Sequence, residues 1–143
     1  MNKIIIIIPI IAVAASFIVI SEFTTEERID KKVFHVTLAD PKMYQNGVYT
    51  DTFVLEAGEY FFRFIPNGDS PKSLSISLTG KNFNFDENFR LNGTSHESEI
   101  SQYFTWDYDG EKEIVVDEMQ DIIIQINPNG NVLGPVSVDI LQN

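Results

Sequence analysis

The sequence of 143 residues contains no cysteine, one tryptophan and two histidines. The lack of cysteine excludes disulfide bonds, zinc–thiolate sites, iron–sulfur clusters, blue-copper sites and cysteine nucleophiles. His35 and His96 show no spacing typical of a pair of metal ligands. A G-x-S-x-G motif and a Gly-rich phosphate loop are also missing, which removes the signatures of serine hydrolases and nucleotide-binding proteins. We therefore expect no cofactor and no enzymatic activity.

Basic residues are few, because the chain has 10 Lys and Arg against 21 Asp and Glu and a formal net charge of −11 at pH 7. This charge repels nucleic acid and anionic lipid headgroups, so we expect no nucleic-acid partner. Lys3 is the only basic residue before residue 22, which leaves −12 (9 minus 21) on the rest of the chain. Solubility explains this acidity most simply, and a cationic partner is the alternative.

One long hydrophobic run extends over residues 4–20. As a helix it would span roughly 25 Å, slightly less than the hydrocarbon layer of a bilayer. The run predicts an N-terminal hydrophobic helix within residues 1–21, which is either a retained transmembrane anchor or a cleaved signal peptide. Ala12-Val13-Ala14 offers a cleavage pattern, although a cut there would leave an apolar new N-terminus. Because Lys3 should stay inside, either alternative places the following domain outside the cytoplasm, membrane-anchored or secreted.

After a charged tether at residues 22–32, the sequence predicts one domain at residues 33–143. Apolar and polar residues alternate there with a period of two, most clearly at Leu74, Ile76 and Leu78. Turn-forming dipeptides separate the apolar runs, and they include Asn46-Gly47, Ala57-Gly58, Asn67-Gly68, Asn92-Gly93, Asp109-Gly110, Asn129-Gly130 and Gly134-Pro135. About eight to ten short strands with this spacing predict an all-β fold, an antiparallel β-sandwich of the jelly-roll type.

Two segments of this domain resemble each other when the chain is shifted by 62 residues. Pro66-Asn67-Gly68 then aligns with Pro128-Asn129-Gly130, and the apolar alternation on both sides stays in phase. The pattern predicts an internal repeat with units at 50–79 and 112–141. We expect each unit to be a three-stranded meander, and two such units would pack with pseudo-two-fold symmetry. Coincidence is the alternative, because any two β-meanders share this alternation.

Two polar motifs provide candidate sites, although no metal site is predicted with a full set of ligands. Asp107, Asp109 and Glu111 resemble a fragment of a calcium-binding loop and are calcium candidates, but they lack the third and twelfth-position ligands of an EF-hand. A solvated acidic turn is the alternative. Asn92-Gly93-Thr94 is a glycosylation sequon, and its turn-like composition places Asn92 in an exposed loop.

Aromatic residues crowd the segment that contains Tyr103, Phe104, Trp106 and Tyr108. By alternation Phe104 and Trp106 share one strand face, and we expect that face to pack in the core. We expect Tyr103 and Tyr108 to be exposed, where they would be available to stack on a sugar ring or contact another ligand.

The stretch from Phe53 to Phe64 combines two predicted strands, the second of them rich in aromatic residues. The turn between them consists of a small residue, a glycine and an acidic residue. This stretch resembles a hairpin of pre-peptidase C-terminal domains and GOLD-like domains, which are exported β-sandwich modules. The resemblance covers 12 of the 143 residues. It implies a jelly-roll-like sandwich with a binding or spacer role, and it carries no catalytic residue. The isoleucine-rich leader and the acidic, cysteine-free domain also resemble small surface proteins of archaea.

These observations predict a non-enzymatic extracytoplasmic module that binds a protein, a glycan or a component of the cell envelope. The alternative is a structural subunit of a surface assembly, in which the strand edges of neighbouring copies pair. A hydrolase built from scattered carboxylates is a third hypothesis, but no spacing identifies its acid pair.

Overall fold

The structure is a computed structural model that describes residues 31–143. This part of the chain forms nine β-strands and one short 3-10 helix, Pro41–Met43. In chain order the strands are β1 (Lys31–Leu38), β2 (Tyr49–Leu55), β3 (Gly58–Ile65), β4 (Ser73–Thr79), β5 (Asn84–Glu97), β6 (Gln102–Asp109), β7 (Glu113–Val116), β8 (Gln120–Asn127) and β9 (Val136–Gln142).

The strands form two antiparallel sheets. The four-stranded sheet has the order β1-β9-β3-β7, and the five-stranded sheet has the order β2-β8-β4-β5-β6. The apolar faces of the two sheets turn toward each other, since this arrangement removes both faces from water. The prediction of an all-β antiparallel sandwich is therefore confirmed for the described residues.

The core between the sheets is rich in aromatic side chains. Phe62 and Phe64 on β3 pack against Phe89 on β5 and Tyr108 on β6, with ring centroids 4.8 to 5.5 Å apart. Three isoleucines of β8 complete the centre of the core and are fully buried. Burial of one such side chain stabilises the folded state by about 1.5–3 kcal/mol. Core packing therefore stabilises this domain without disulfide bonds.

The strands of the two predicted repeat units occupy related places in the sandwich. A shift of 62 residues moves β3, at 58–65, onto β8, at 120–127. β3 lies between β7 and β9, whereas β8 lies between β2 and β4. Each central strand therefore pairs with the outer strands of the other unit. The expected meander within each unit is wrong, because β2, β3 and β4 alternate between the sheets. Alternation shows which face is buried, but it does not show which strand is the neighbour.

The two Pro-Asn-Gly loops lie at one end of the sandwich and contact each other. Asn131 donates from Nδ2 to the carbonyl of Asp69 at 3.3 Å, and Ser70 donates from its hydroxyl to the carbonyl of Pro135 at 2.5 Å. Asn129 adopts a positive φ of 53°, a conformation that asparagine tolerates better than most residues. The polar groups of these loops therefore hold the two loops together.

The predicted hydrophobic helix at residues 1–21 and most of the predicted tether lie outside the described residues. Between residues 31 and 143 no helix combines the length and the apolar character that a membrane crossing requires. β1 begins at Lys31, so the last two residues of the predicted tether belong to the first strand.

Candidate functional site

The hairpin of β5 and β6 extends beyond the rest of the five-stranded sheet. β5 has 14 residues, but β4 pairs only with its first half, from Asn84 to Arg90. The remainder of β5 pairs with β6 as far as Glu97, which lies opposite Gln102. A turn at residues 98–101 joins the two strands. We call residues 92–107 the arm.

Gly93 allows the arm to keep its strand pairing opposite a tryptophan. It pairs with Trp106, and a Cβ atom on Gly93 would lie only 2.6 Å from the Trp106 ring. Gly68 in the β3–β4 loop approaches the same ring, since a Cβ there would lie 3.3 Å away. The indole therefore lies against β5 and against that loop. Asn92-Gly93 is a strand segment of β5, so the expected turn and the expected loop position of the sequon are wrong.

The exposed aromatic side chains among residues 31–143 all lie on the arm. Tyr103, Phe104 and Trp106 are 54%, 52% and 36% exposed, and Ile100 at the turn is 97% exposed. The expected exposure of Tyr103 is confirmed, but the expected core packing of Phe104 and Trp106 is wrong. Their face continues the inner face of the sheet, but the four-stranded sheet does not cover this part of the hairpin.

Tyr108 is fully buried, so its prediction as an exposed ligand contact is wrong. It lies on the same face of β6 as Trp106, at the base of the arm, where the Phe64 ring packs on it. Its hydroxyl donates to the carbonyl of Pro71 at 2.5 Å. Burial, together with the nearby hydroxyl of Tyr44, raises the pKa of Tyr108. This residue anchors the arm to the body of the sandwich.

The other face of the arm is polar. His96 stacks on Tyr103 with ring centroids 4.9 Å apart, and His96 Nε2 lies 2.9 Å from the hydroxyl of Thr105. These contacts hold the Tyr103 ring against the arm while half of it stays in water. The arm therefore presents one apolar aromatic face and one polar face that includes an oriented tyrosine.

A cleft of about 620 Å³ separates the base of the arm from β3. Its lining includes Arg63, Asn92, Thr105, Trp106, Asp107 and Lys112. Lys112 contacts both sides of the cleft. Its Nζ lies 2.7 Å from Asp107 Oδ2 on β6 and 5.9 Å from the centre of the Phe64 ring on β3. The cleft thus combines hydrogen-bond donors, acceptors and aromatic surface.

The three calcium candidates do not converge on one point. Asp107 is engaged by Lys112 and accepts the Tyr108 N–H at 2.8 Å, while Glu111 accepts the Glu113 N–H at 3.0 Å. Over residues 31–143 no three acidic or histidine side chains are grouped so that they could hold a metal ion. Asp107 and Asp109 lie on β6, and Glu111 lies in the short connection to β7.

Asn92 is exposed on the arm and lines the cleft. Its side chain is therefore accessible as a glycosylation candidate, although the acceptor site is a strand and not the loop that we expected. A glycan attached at this position would lie beside the cleft.

A second polar cluster lies on the outer face of the four-stranded sheet. Asp139 is fully buried and contacts three half-exposed basic side chains, Lys32, His35 and Arg63. Arg63 donates from Nη2 to Asp139 Oδ2 at 2.7 Å, and His35 Nδ1 contacts the other carboxylate oxygen. Burial alone would raise the pKa of Asp139, but the hydrogen bonds of His35 and Arg63 and the charge of Lys32 outweigh it and lower the pKa. Because these groups pair with one another, the cluster is a cross-strand brace between β1, β9 and β3.

These features define the class of the molecule as an antiparallel β-sandwich with a protruding hairpin. No protein-family model matches the chain, and comparison with the curated proteins and with the solved structures found no match. The resemblance to pre-peptidase C-terminal and GOLD-like domains therefore stays a prediction.

Proposed function

We propose that the protein is a non-enzymatic extracytoplasmic binding module that contacts its ligand through the arm. Residues 4–20 would hold it at the membrane, or it is secreted after their removal. The observation that carries the proposal is the uncovered aromatic face of β6. Phe104 and Trp106 stay in contact with water although Tyr108, on the same face, is fully buried. Apolar side chains gathered in this way at one place on a domain are typical of an interaction surface.

The construction of the arm supports the same function. Past Arg90 no third strand of the described part of the chain pairs with the two strands of the hairpin. An isolated two-stranded hairpin is at best marginally stable in water. A ligand that covers the exposed aromatic face would therefore stabilise the arm as well as bind to it.

The fold proposed for this module is a jelly roll with an internal duplication. The chain passes from one sheet to the other at six of its eight strand connections. Without β6, each sheet has four strands: β1, β9, β3 and β7 in one, and β2, β8, β4 and β5 in the other. β6 is then an added strand, and it forms the arm together with the second half of β5. The equivalent pairing of β3 and β8 with strands of the other unit supports pseudo-two-fold symmetry.

The cleft favours a second candidate function, the binding of a glycan. Arg63, Asp107 and Asn92 carry planar polar groups of the kind that hydrogen-bond neighbouring sugar hydroxyls, and Trp106 adds partly exposed aromatic surface. This candidate moves the aromatic contact predicted at Tyr108 to Trp106, and it does not use Tyr103, which is not among the residues that line the cleft.

A photo-crosslinking amino acid at Thr105 of the full-length chain tests the arm as the binding surface. We expect a discrete adduct after irradiation of the cells that produce the protein, and we expect Phe104→Ser to abolish it. The same amino acid at Thr52 is the matched control, because Thr52 is also an exposed threonine on an edge strand of the five-stranded sheet. Equal adducts at both positions, or none at Thr105, would contradict the proposal. An adduct with a second copy of the chain would favour the structural-subunit alternative.

Electrophoresis of the full-length protein through gels that contain soluble xylan, mannan or β-glucan tests the glycan candidate. Retardation that is lost in Trp106→Ala and Asp107→Asn, but kept in the distant surface variant Asp121→Asn, would support it. Equal mobility with and without each polysaccharide would remove these glycans as ligands.

A further inference from the structure

We propose that β6 binds an extended, basic segment of a partner protein as an additional strand of the five-stranded sheet. This inference rests on the proposed function of the arm, and it names the chemistry of the ligand. It follows from three properties of β6: its open backbone edge, the lack of edge protection and the charge of the arm.

β6 is the outermost strand of its sheet. It pairs with β5 on one side, and no strand of residues 31–143 pairs with its other side. The pairing with β5 is regular from Gln102 to Asp109, so the free edge of the arm is an uninterrupted row of backbone donors and acceptors. Such an edge is a template for a further strand.

The other three edge strands carry features that discourage strand addition, which β6 lacks. β1 begins with two lysines and has an irregular register between Lys32 and Phe34. β7 has only four residues. β2 carries Asp51 opposite the buried Ile124, which is a charge on the inner face. Lysines, irregular pairing, short strands and inward charges are the usual protections of sheet edges. β6 contains neither Lys nor Pro.

The charge of the arm selects the kind of strand that fits. Residues 92–107 contain Glu97, Glu99 and Asp107 but no Lys or Arg. A second copy of the chain would bring the same acidic arm and its own net charge of −11, so pairing of two arms is disfavoured. A basic segment is attracted instead, and its cationic side chains also interact favourably with exposed aromatic rings.

The two faces of β6 set the pattern of the segment. A strand added beside β6 would place alternate side chains next to Phe104 and Trp106 on the apolar face. The intervening side chains would lie next to Tyr103 and Asp107 on the polar face. The best partner segment therefore alternates apolar and basic residues, and a basic residue next to Asp107 would compete with Lys112 for that carboxylate.

Titration of the full-length protein in detergent micelles with the blocked peptide Lys-Val-Lys-Val-Lys-Val-Lys-Val tests the inference. Trp106 is the only tryptophan of the chain, so its fluorescence reports directly on the arm. We expect saturable binding, with hydrogen-exchange protection of alternate β6 amides, because strand addition uses every second backbone group. Three control peptides separate the contributions: the Glu-Val analogue, a block sequence of four Lys and four Val, and the alternating peptide N-methylated along one edge. Each should bind at least about tenfold more weakly.

The substitution Thr105→Lys places on β6 a lysine, which discourages strand addition at a sheet edge. It should weaken peptide binding about tenfold or more. Thr52→Lys on β2 is the matched control and should leave binding unchanged.

Absence of binding, equal binding of the block or N-methylated peptide, or self-association of the protein through β6 would each overturn the inference. If the peptide does not bind while the Thr105 photo-adduct persists, the arm remains the binding surface and only the proposed strand chemistry fails. If the photo-adduct is also absent, the proposed function fails with it.

Discussion

Tyr108 and Trp106 lie two residues apart on the same face of β6, yet one belongs to the body of the sandwich and the other to the arm. Tyr108 is fully buried and hydrogen-bonded, whereas Trp106 is 36% exposed and Phe104, two residues further on, is 52% exposed. The strand, its pairing partner and its alternation are continuous through all three positions. What changes is the opposing layer, which covers Tyr108 and not the residues beyond it. Alternation therefore decides which way a side chain points, and the second sheet decides whether it is buried.

The largest expected effect separates a phenylalanine of the body from one of the arm. Phe89→Ala removes a fully buried ring that packs against Phe62 and Phe64, and it should lower the free energy of unfolding by about 3–5 kcal/mol. Phe104→Ala removes a half-exposed ring and should cost less than about 0.5 kcal/mol. Urea denaturation of both variants makes the comparison. Similar losses would show that the arm is part of the cooperative core.

The second largest effect compares two aspartates that form ion pairs, the buried Asp139 and the exposed Asp107. Asp139→Asn removes the carboxylate that braces three strands and should destabilise by about 1–3 kcal/mol at neutral pH. Asp107→Asn breaks only the exposed contact with Lys112 and should cost less than about 1 kcal/mol. Equal effects in denaturation experiments would contradict the description of Asp139 as a structural brace.

The contribution of Asp139 to the stability of the fold depends on pH. The pKa of Asp139 is lowered from its ordinary value of 3.8, so its contribution to stability is fully present above that pH. The contribution is lost as the pH falls through the lower pKa of the folded state. The stability difference between wild type and Asp139→Asn should therefore be largest near about pH 7 and shrink toward about pH 2. A difference that stays constant over this range would contradict the ionised brace.

A smaller effect compares two tyrosine hydroxyls on β6. Tyr108→Phe removes a buried hydrogen bond to the Pro71 carbonyl and should destabilise by about 1 kcal/mol, whereas Tyr103→Phe should leave the melting temperature unchanged. Thermal melts monitored by circular dichroism test both. A larger loss of stability in Tyr103→Phe than in Tyr108→Phe would show that the arm is anchored through its polar face.

The last comparison concerns a change within the arm alone. Gly93→Ala places a methyl group where the Trp106 ring lies, so the ring must move while the body stays intact. We expect a shift in tryptophan fluorescence with less than about 1 kcal/mol of destabilisation. The variant Gly47→Ala is a poor control because Gly47 has a positive φ of 80°. Ser75→Ala, on the outer face of β4, is a better one, and it should change neither signal.

The sequence predicts the body far better than the arm, and the reasons are physical. Leu74, Ile76 and Leu78 alternate with serines because one face of β4 meets the core and the other meets water, so the strand is visible in the sequence. Asn92-Gly93 has the composition of a turn, but Gly93 serves the close approach of Trp106 and the strand continues through it. The burial of Tyr108 and the exposure of Phe104 depend on where the opposite sheet ends, which no local pattern records. The exchange of strands between the two repeat units is likewise invisible to alternation.

The position of β9 has a consequence for how the protein forms. Among residues 31–143, β1 pairs only with β9, and β9 lies between β1 and β3. The four-stranded sheet therefore cannot close until the C-terminal residues are available, and pairings between such distant parts of a chain form slowly. Until β9 is in place, β1 has no partner strand among residues 31–143, and the sheet stays open. The seven residues of β9, Val136–Gln142, are therefore the strand on which closure of the four-stranded sheet depends.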